Sequence, residues 1–219
     1  MNASGTLPVP DFDIPVTSLH RDWHEDWAPS IHGPRTRMAI AGNPRLAHRP
    51  AASLAAQLGA MPVDEAAIPP ADAHAFLVLA QDPARFLRIT GLAALAPMLA
   101  TIVNGAAVRE LIAEFPADDL RIALSCRDDV KKTGDAEADP ERLMAIVENN
   151  GPRMIQDWAA SLSPDLRARV RLMLPKSTIA SEFDASEPSV NHNSGRVVRK
   201  IAKLLVSPTE AGTYDHGGA

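Results

Sequence analysis

The chain has 219 residues, of which 46% are hydrophobic and 22% charged, and this composition excludes an intrinsically disordered protein. Its formal net charge of −5 disfavours a general nucleic-acid-binding protein, which needs a positively charged face. The single cysteine, Cys126, excludes an internal disulfide and a cysteine-based zinc site, and it fits a reducing compartment.

The N-terminal region contains a short segment rich in tryptophan and histidine. No basic stretch followed by an apolar run opens the chain, so we expect no secretory signal. If the segment is helical, His20, Trp23, His24 and Trp27 share one face, because they follow the i, i+3, i+4, i+7 spacing. Such a face packs on the protein's own body or anchors a partner protein, since tryptophan is enriched at binding hot spots.

The same segment offers a candidate metal site. His20 and His24 are one helical turn apart, a spacing that can bind a metal ion. Asp22, Glu25 or Asp26 would supply a third ligand, which gives a metal-dependent enzyme as an alternative function. The two tryptophans on that face favour a docking surface over a hydrated metal site. We therefore predict no bound metal and no cofactor.

Four residue pairs predict helix N-termini, because each places a side-chain acceptor directly before a proline. They are Asn43-Pro44, Asp82-Pro83, Asp139-Pro140 and Ser163-Pro164. Apolar residues at helical spacing follow each pair, and helix ends are predicted at Gly59, Gly151-Pro152 and Pro175. No convincing alternating β-strand pattern is present. The predicted fold is all-α, an irregular multi-helix bundle with a polar linker and a short basic C-terminal helix.

The stretch 89–108 contains no charged residue and is about as long as a membrane span. Four residues that disfavour insertion interrupt it, namely Gly91, Pro97, Asn104 and Gly105. Its larger apolar residues recur at helical spacing, namely Leu92, Leu95, Leu99, Ile102 and Val103. We therefore predict a buried helical segment and no transmembrane segment.

Two acidic pairs and the cysteine are the remaining candidates for catalysis. The pair Asp118-Asp119 is explained as negative charge at a helix N-terminus, where the helix dipole favours it. The pair Asp128-Asp129 is interpreted as part of an exposed turn, and Cys126 as a buried structural thiol. Because the sequence fixes no histidine or lysine beside either pair, we predict no catalytic residue and no enzymatic activity.

The stretch 195–206 is basic and amphipathic. Its apolar residues lie along one side, namely Val197, Ile201, Leu204 and Leu205. Its basic residues lie around that side, namely Arg196, Arg199, Lys200 and Lys203. Such a helix docks on a partner protein or lies on an anionic membrane, which gives a peripheral membrane protein as a further alternative. The same pattern fits equally well a final helix of the core whose basic face is exposed to solvent.

These patterns predict a body with separate ends. The predicted regions are an extended arm (1–17), a helical body (18–176), a linker (177–194), a basic amphipathic helix (195–206) and a disordered tail (207–219). Two of them supply candidate partner-binding residues. These are Phe12, His20, Trp23 and Trp27 near the N-terminus, and Arg196, Arg199, Lys200 and Lys203 in the basic helix.

Three segments resemble the SctK (YscK-like) family of type III secretion systems. Phe12-Asp13-Ile14-Pro15, followed by Leu19-His20-Arg21-Asp22-Trp23, resembles the family's N-terminal signature, with Asp13 and Leu19 where the family has asparagine and an aromatic residue. The stretches 92–99 and 102–111 are similar to its Leu/Ala-rich middle and its Gly-Ala-x-Val-Arg element. Trp158 and the stretch 166–175 resemble its closing Arg/Leu helix.

The resemblance implies an all-helical cytoplasmic adaptor of the sorting platform, at the cytoplasmic face of the inner membrane. Its implied partners are an SctD-like inner-membrane ring protein and an SctQ-like pod protein. The SctL–SctN ATPase complex is implied as an indirect partner, and no nucleic acid is expected. The resemblance thus implies a binding function and no turnover of a substrate.

Overall fold

The computed structural model describes residues 18–23, 34–43, 46, 49–59, 68–102, 105–130, 140–177 and 193–206. These residues form helices and turns with no β-strand among them, so the predicted all-α fold is confirmed. The predicted arm 1–17, the predicted tail 207–219 and most of the predicted linker 177–194 lie outside the described residues.

The helices in chain order are α1 (Pro34–Ala41), α2 (Arg49–Gln57), α3 (Pro70–Gln81), α4 (Pro83–Ala94), α5 (Ala96–Leu99), α6 (Gly105–Glu114), α7 (Ala117–Leu124), α8 (Pro140–Ala160), α9 (Pro164–Leu172) and α10 (Ser194–Val206). Short 3₁₀ turns lie at Arg21–Trp23 and Arg127–Asp129. Within the described ranges, no helix combines the length and the apolar character that a membrane crossing needs.

Local sequence signals predict several of the positions at which helices begin or end. The Asp82 carboxylate accepts the backbone N–H of Arg85 at 3.0 Å, at the start of α4. The Ser163 hydroxyl accepts the backbone N–H of Leu166 at 3.4 Å, at the start of α9. Gly59 follows α2 with a φ of 80°, the left-handed conformation that glycine adopts most easily. These predicted ends are confirmed.

Two other predicted boundaries are wrong. The helix expected directly after Asn43-Pro44 begins at Arg49. Before it, Leu46 N–H donates to Asn43 O and Arg49 N–H donates to Leu46 O. The end expected at Gly151-Pro152 is absent, because α8 continues through both residues to Ala160.

The crossing of α4 and α8 explains why α8 contains a glycine. A Cβ atom on Gly91 would lie 2.9 Å from the carbonyl carbon of Val147. A Cβ atom on Gly151 would lie 3.0 Å from the carbonyl carbon of Leu87. Each helix therefore presents a glycine to the backbone of the other, and any larger residue would force the helices apart. Gly151 serves this close approach and does not end the helix.

The uncharged stretch 89–108 is mostly buried from Ile89 to Leu99, with half-buried positions among the buried ones. Ile89 and Leu92 are fully buried, and Leu99 is 6% exposed, so the predicted burial is confirmed for this part. The stretch is not one continuous helix, because α4 ends at Ala94 and α5 begins two residues later. Proline in the first turn of α5 has no N–H to donate to a carbonyl of the preceding turn, so the helix breaks there.

Helix α10 packs mainly against α3 and α8, and it also contacts α4 and α7. Its residues Val197, Val198 and Ile201 are fully buried. The apolar face of the basic C-terminal helix therefore belongs to the core of the bundle. Its basic side chains lie around the edges of that contact and on the outer face.

Candidate functional site

The segment 18–23 docks on the end of α9. The backbone N–H of His20 donates to Leu172 O at 2.9 Å. The indole N–H of Trp23 donates to Leu174 O at 3.1 Å, and the Trp23 side chain is buried. These bonds join two parts of the chain about 150 residues apart. We call this contact the N-terminal junction.

Charged groups also contribute to the N-terminal junction. The Asp22 carboxylate accepts the backbone N–H of Lys176 at 3.0 Å. The Lys176 ammonium lies 5.1 Å from the centre of the Trp23 ring, which is a cation–π distance. His20 Nδ1 accepts the backbone N–H of Asp22 at 3.3 Å. Both predicted binding residues of the described segment, His20 and Trp23, thus take part in contacts within the chain.

The described part of the tryptophan segment forms one 3₁₀ turn, Arg21–Trp23. Trp23 faces the body, as the packing interpretation of this segment expects. The other predicted residues, Phe12, His24 and Trp27, lie outside the described residues. No group of three or more metal-binding side chains occurs within the described ranges.

The substitution Trp23→Phe is expected to lower the free energy of unfolding by about 1 kcal/mol. Phenylalanine keeps an aromatic ring over the core but cannot donate to Leu174 O. Urea unfolding measures the loss, and amide exchange of His20 should accelerate because the junction loosens. A variant that unfolds like wild type, with unchanged exchange at His20, contradicts the hydrogen bond between Trp23 and Leu174.

The carboxylate of Asp72 links three helices. It accepts the indole N–H of Trp158 at 2.8 Å and the Nε–H of Arg199 at 2.7 Å. Its second oxygen accepts a hydrogen bond from Arg199 Nη2 at 3.2 Å. Asp72 is 4% exposed and belongs to α3, whereas its partners belong to α8 and α10. No sequence pattern predicts this role of Asp72, because its two partners lie 86 and 127 residues away.

The carboxylate of Asp129 holds the other side of α10. It lies 2.8 Å from Lys200 Nζ and 3.0 Å from Arg196 Nε. Lys200 Nζ also donates to Ser125 O at 2.6 Å. Asp129 lies in the 3₁₀ turn Arg127–Asp129, as the turn interpretation expects, but it is only 5% exposed, so its predicted exposure is wrong. That interpretation holds for its neighbour Asp128, whose side chain is 83% exposed.

The hydrogen bond from Lys200 holds the pKa of Asp129 below its ordinary value. Burial of the carboxyl opposes this shift, and the charges of Lys200 and Arg196 support it. Because the pKa is lower in the folded protein than in the unfolded chain, ionised Asp129 stabilises the fold above the ordinary aspartate pKa. This stabilisation is lost as the pH falls through the lowered pKa.

The substitution Asp129→Asn should therefore cost about 2 kcal/mol at pH 6, the order expected for hydrogen bonds to a charged group. The difference from wild type should shrink as the pH falls below the ordinary aspartate pKa, because wild type loses the same interaction by protonation. Urea unfolding at several pH values measures it. Asp128→Asn is the matched control, with an expected change below about 0.5 kcal/mol. A pH-independent difference contradicts the ion-pair explanation.

The predicted basic residues of α10 have different surroundings. Arg199 binds Asp72, and Arg196 and Lys200 bind Asp129. Lys203 is exposed and pairs with no carboxylate of the described residues. Three of the four candidates thus attach α10 to the body, and the apolar face that a membrane would need is buried against α3 and α8.

Asp119 also has a structural position. It is fully buried, and its oxygens accept Arg85 Nε at 2.9 Å and Arg88 Nη2 at 2.7 Å. Asp119 lies in the first turn of α7, as predicted, but its main contacts tie α7 to α4. Neither arginine of this contact was predicted, nor was the burial, because both depend on how the helices pack.

The thiol of Cys126 lies inside the bundle. Burial raises the pKa of Cys126, and the hydrogen bond with Ser125 and the charge of Lys200 oppose that shift only in part. The thiol is therefore protonated at neutral pH, and its burial agrees with the predicted structural role.

Comparison of the chain with protein-family models, with curated proteins and with solved structures gave no match. Function is therefore inferred from the residues of this chain, their geometry and the resemblance described above.

Proposed function

We propose that this protein is an adaptor of a type III secretion sorting platform that acts by binding other proteins. In this proposal it lies at the cytoplasmic face of the inner membrane. It links an SctD-like ring protein to an SctQ-like pod protein, and through the pod to the SctL–SctN ATPase complex. The all-α fold and the resemblance to the SctK family support the proposal.

The observation that carries the proposal is the N-terminal junction. The segment that resembles the family's N-terminal signature includes His20 and Trp23, which bond to Leu172 and Leu174. Those two residues lie in the stretch that resembles the family's closing Arg/Leu helix. Two distant parts of the resemblance therefore form one structural unit. A chance similarity of unrelated segments would not require them to meet.

The positions of the acidic residues and the thiol also favour a binding role. Asp119 is neutralised by two arginines, and Asp129 by a lysine and an arginine. Cys126 is buried with a raised thiol pKa. The described groups first considered for catalysis thus have structural partners, which supports an adaptor over an enzyme.

A co-purification experiment tests the proposed function. The full chain with a C-terminal affinity tag is mixed with the cytoplasmic domain of the SctD-like ring protein and with the SctQ-like pod protein of the same bacterium. We expect each to co-elute with the chain, and all three to form one complex in size-exclusion chromatography. Circular dichroism confirms that the bait is folded. A folded chain that retains neither protein overturns the proposal.

Metal analysis separates the adaptor from the metal-dependent enzyme based on His20 and His24. The protein is purified without a histidine tag and analysed for bound transition metals. The adaptor proposal predicts less than a tenth of an equivalent of metal and an unchanged melting temperature after chelator treatment. A stoichiometric metal ion that the double variant His20→Ala/His24→Ala cannot bind supports the enzyme instead.

A further inference from the structure

The outer face of α10 is strongly basic. The helix contains four basic residues and no acidic residue. The Arg196 side chain is 73% exposed, and Lys203 is also exposed. Lys200 remains 38% exposed despite its contact with Asp129. This face therefore presents positive charge outward in a chain whose formal net charge is −5.

The basic residues form a stripe with an apolar end. Arg196, Lys200 and Lys203 follow the i, i+4, i+7 spacing, so they lie along one side of the helix over about 10 Å. Leu204, at i+8, continues the stripe and is 37% exposed. Val206, at the end of α10, is 45% exposed. We call these five residues the α10 stripe.

The carboxylates that pair with α10 lie on its inner side. The side chains of Asp72 and Asp129 are each 5% exposed. Nε of Arg196 contacts Asp129 at 3.0 Å, and the Arg196 side chain nevertheless remains 73% exposed. A molecule that approaches from outside therefore meets the cations first, together with two exposed apolar side chains.

We infer that the α10 stripe is a docking surface for an acidic helical segment of a partner protein. The inference rests on the proposed function, since it assumes that the protein acts by binding other proteins. Carboxylates at i, i+4 and i+7 of such a segment would match Arg196, Lys200 and Lys203, and an apolar residue one position later would cover Leu204. Complementary charge of this kind sets partner choice and association rate.

An anionic membrane fits the stripe less well than an acidic protein segment. An interfacial helix binds a bilayer by burying a continuous apolar face among the lipids. In α10 that face includes Val197, Val198 and Ile201, which are fully buried in the bundle. Its exposed apolar side chains are Leu204 and Val206, and Leu205 is half-buried, which is too little apolar surface for such a contact.

Fluorescence anisotropy with a labelled 15-residue helical peptide tests this inference. The probe carries glutamate at i, i+4 and i+7 and leucine at i+8, and a second peptide has glutamine at the three glutamate positions. We expect the full-length protein to bind the glutamate peptide at least tenfold tighter than the glutamine peptide at low salt. Raising the salt from 50 to 200 mM should weaken binding several-fold, because the exposed charges are screened.

Substitutions locate the binding surface. The double variant Lys203→Glu/Leu204→Ser should raise the Kd for the glutamate peptide at least tenfold. The matched control is Arg109→Glu/Ile112→Ser, which makes the same kinds of change at exposed residues of α6. The control should stay within twofold of wild type. If the first double variant does not fold, Lys203→Gln replaces it, with an expected threefold weakening.

Three outcomes overturn the inference. The first is equal affinity for the glutamate and glutamine peptides, and the second is unchanged binding by a folded Lys203→Glu/Leu204→Ser variant. The third is tighter binding to vesicles with 30% phosphatidylserine than to the glutamate peptide, since the stripe would then be a membrane contact. The ring and pod experiment has a separate readout, so a failure of this inference is distinguished from a failure of the proposed function.

Discussion

Replacing Gly91 or Gly151 with alanine is expected to lower the free energy of unfolding by more than about 3 kcal/mol, at the upper end of overpacking effects. The added Cβ would meet the backbone of the facing helix, and its neighbours cannot adjust by changing a rotamer. For Gly91 the obstacle is the carbonyl of Val147, and for Gly151 it is the carbonyl of Leu87. The two central helices, α4 and α8, would have to separate along their contact.

Helix propensity acts in the opposite direction, but it is the smaller effect. Alanine in a helix interior is favoured over glycine by about 1 kcal/mol. The expected overlap costs several times as much, so the net change is destabilising. In a chain of this length, a loss of 3 kcal/mol lowers the melting temperature by roughly 6–12 °C.

Thermal and urea unfolding of both variants measure the effect, and Gly195→Ala in α10 is the matched control. Its added Cβ would have as its nearest neighbour Arg199 Nη1 at 3.3 Å, the end of a flexible side chain. The control should change stability by less than about 0.5 kcal/mol. If the Gly91 and Gly151 variants are as stable as this control, the backbones of α4 and α8 do not meet at these glycines.

The predictable part of the fold depends on interactions between residues close in sequence. The Asp82-Pro83 and Ser163-Pro164 pairs placed two helix starts correctly, because a cap and its N–H group are three residues apart. Gly59 was identified as a helix end for the same reason. The all-α class followed from apolar spacing within single helices. Each of these signals involves only residues that lie within one or two helical turns of each other.

The failures at Gly151-Pro152 and Asp129 depend on contacts between distant residues. Gly151-Pro152 carries a strong local signal for a helix end, but the contact with Leu87 explains the glycine. Asp129 has the local sequence pattern of an exposed turn residue, but α10 packs over it and Lys200 donates a hydrogen bond to its carboxylate. Asp72 has no local signal, because both of its partners lie more than 80 residues away. These contacts can be identified only when the packing of the whole bundle is known.

For the candidate site, the sequence selected two segments as partner-binding, and the described residues of both make contacts within the chain that it did not predict. It selected His20 and Trp23, which form the N-terminal junction with the end of α9. It also selected the basic residues of α10, but it could not separate Arg199, which binds the buried Asp72, from the exposed Lys203. To distinguish these two residues, one must know which side of α10 faces the body.

Replacing Asp72 with alanine is expected to lower the free energy of unfolding by about 3 kcal/mol. The indole N–H of Trp158, which is fully buried, would lose its acceptor. Arg199 would lose two hydrogen bonds to a charged group, although its side chain is 38% exposed and can turn toward water. Hydrogen exchange should also accelerate in α10, because Asp72 attaches that helix to α3 and α8.

The matched control is Asp118→Ala. Like Asp72, Asp118 lies in the first turn of a helix and pairs with an arginine, but its side chain is 73% exposed. Exposed ion pairs of this kind contribute little, so the control should lose less than about 1 kcal/mol. A loss at Asp72 as small as at Asp118 would contradict the buried network.

A double-mutant cycle with Arg199→Met distinguishes two explanations for the effect of Asp72. Asp72 lies in the first turn of α3, so it could stabilise that helix through the helix dipole alone. In that case the losses from Asp72→Ala and Arg199→Met would add. If the carboxylate acts through Arg199, the double variant should be at least about 1 kcal/mol more stable than the summed losses predict. Arg199→Met alone leaves a buried charge whose one remaining side-chain donor among the described residues is Trp158, so it should cost as much as Asp72→Ala or more.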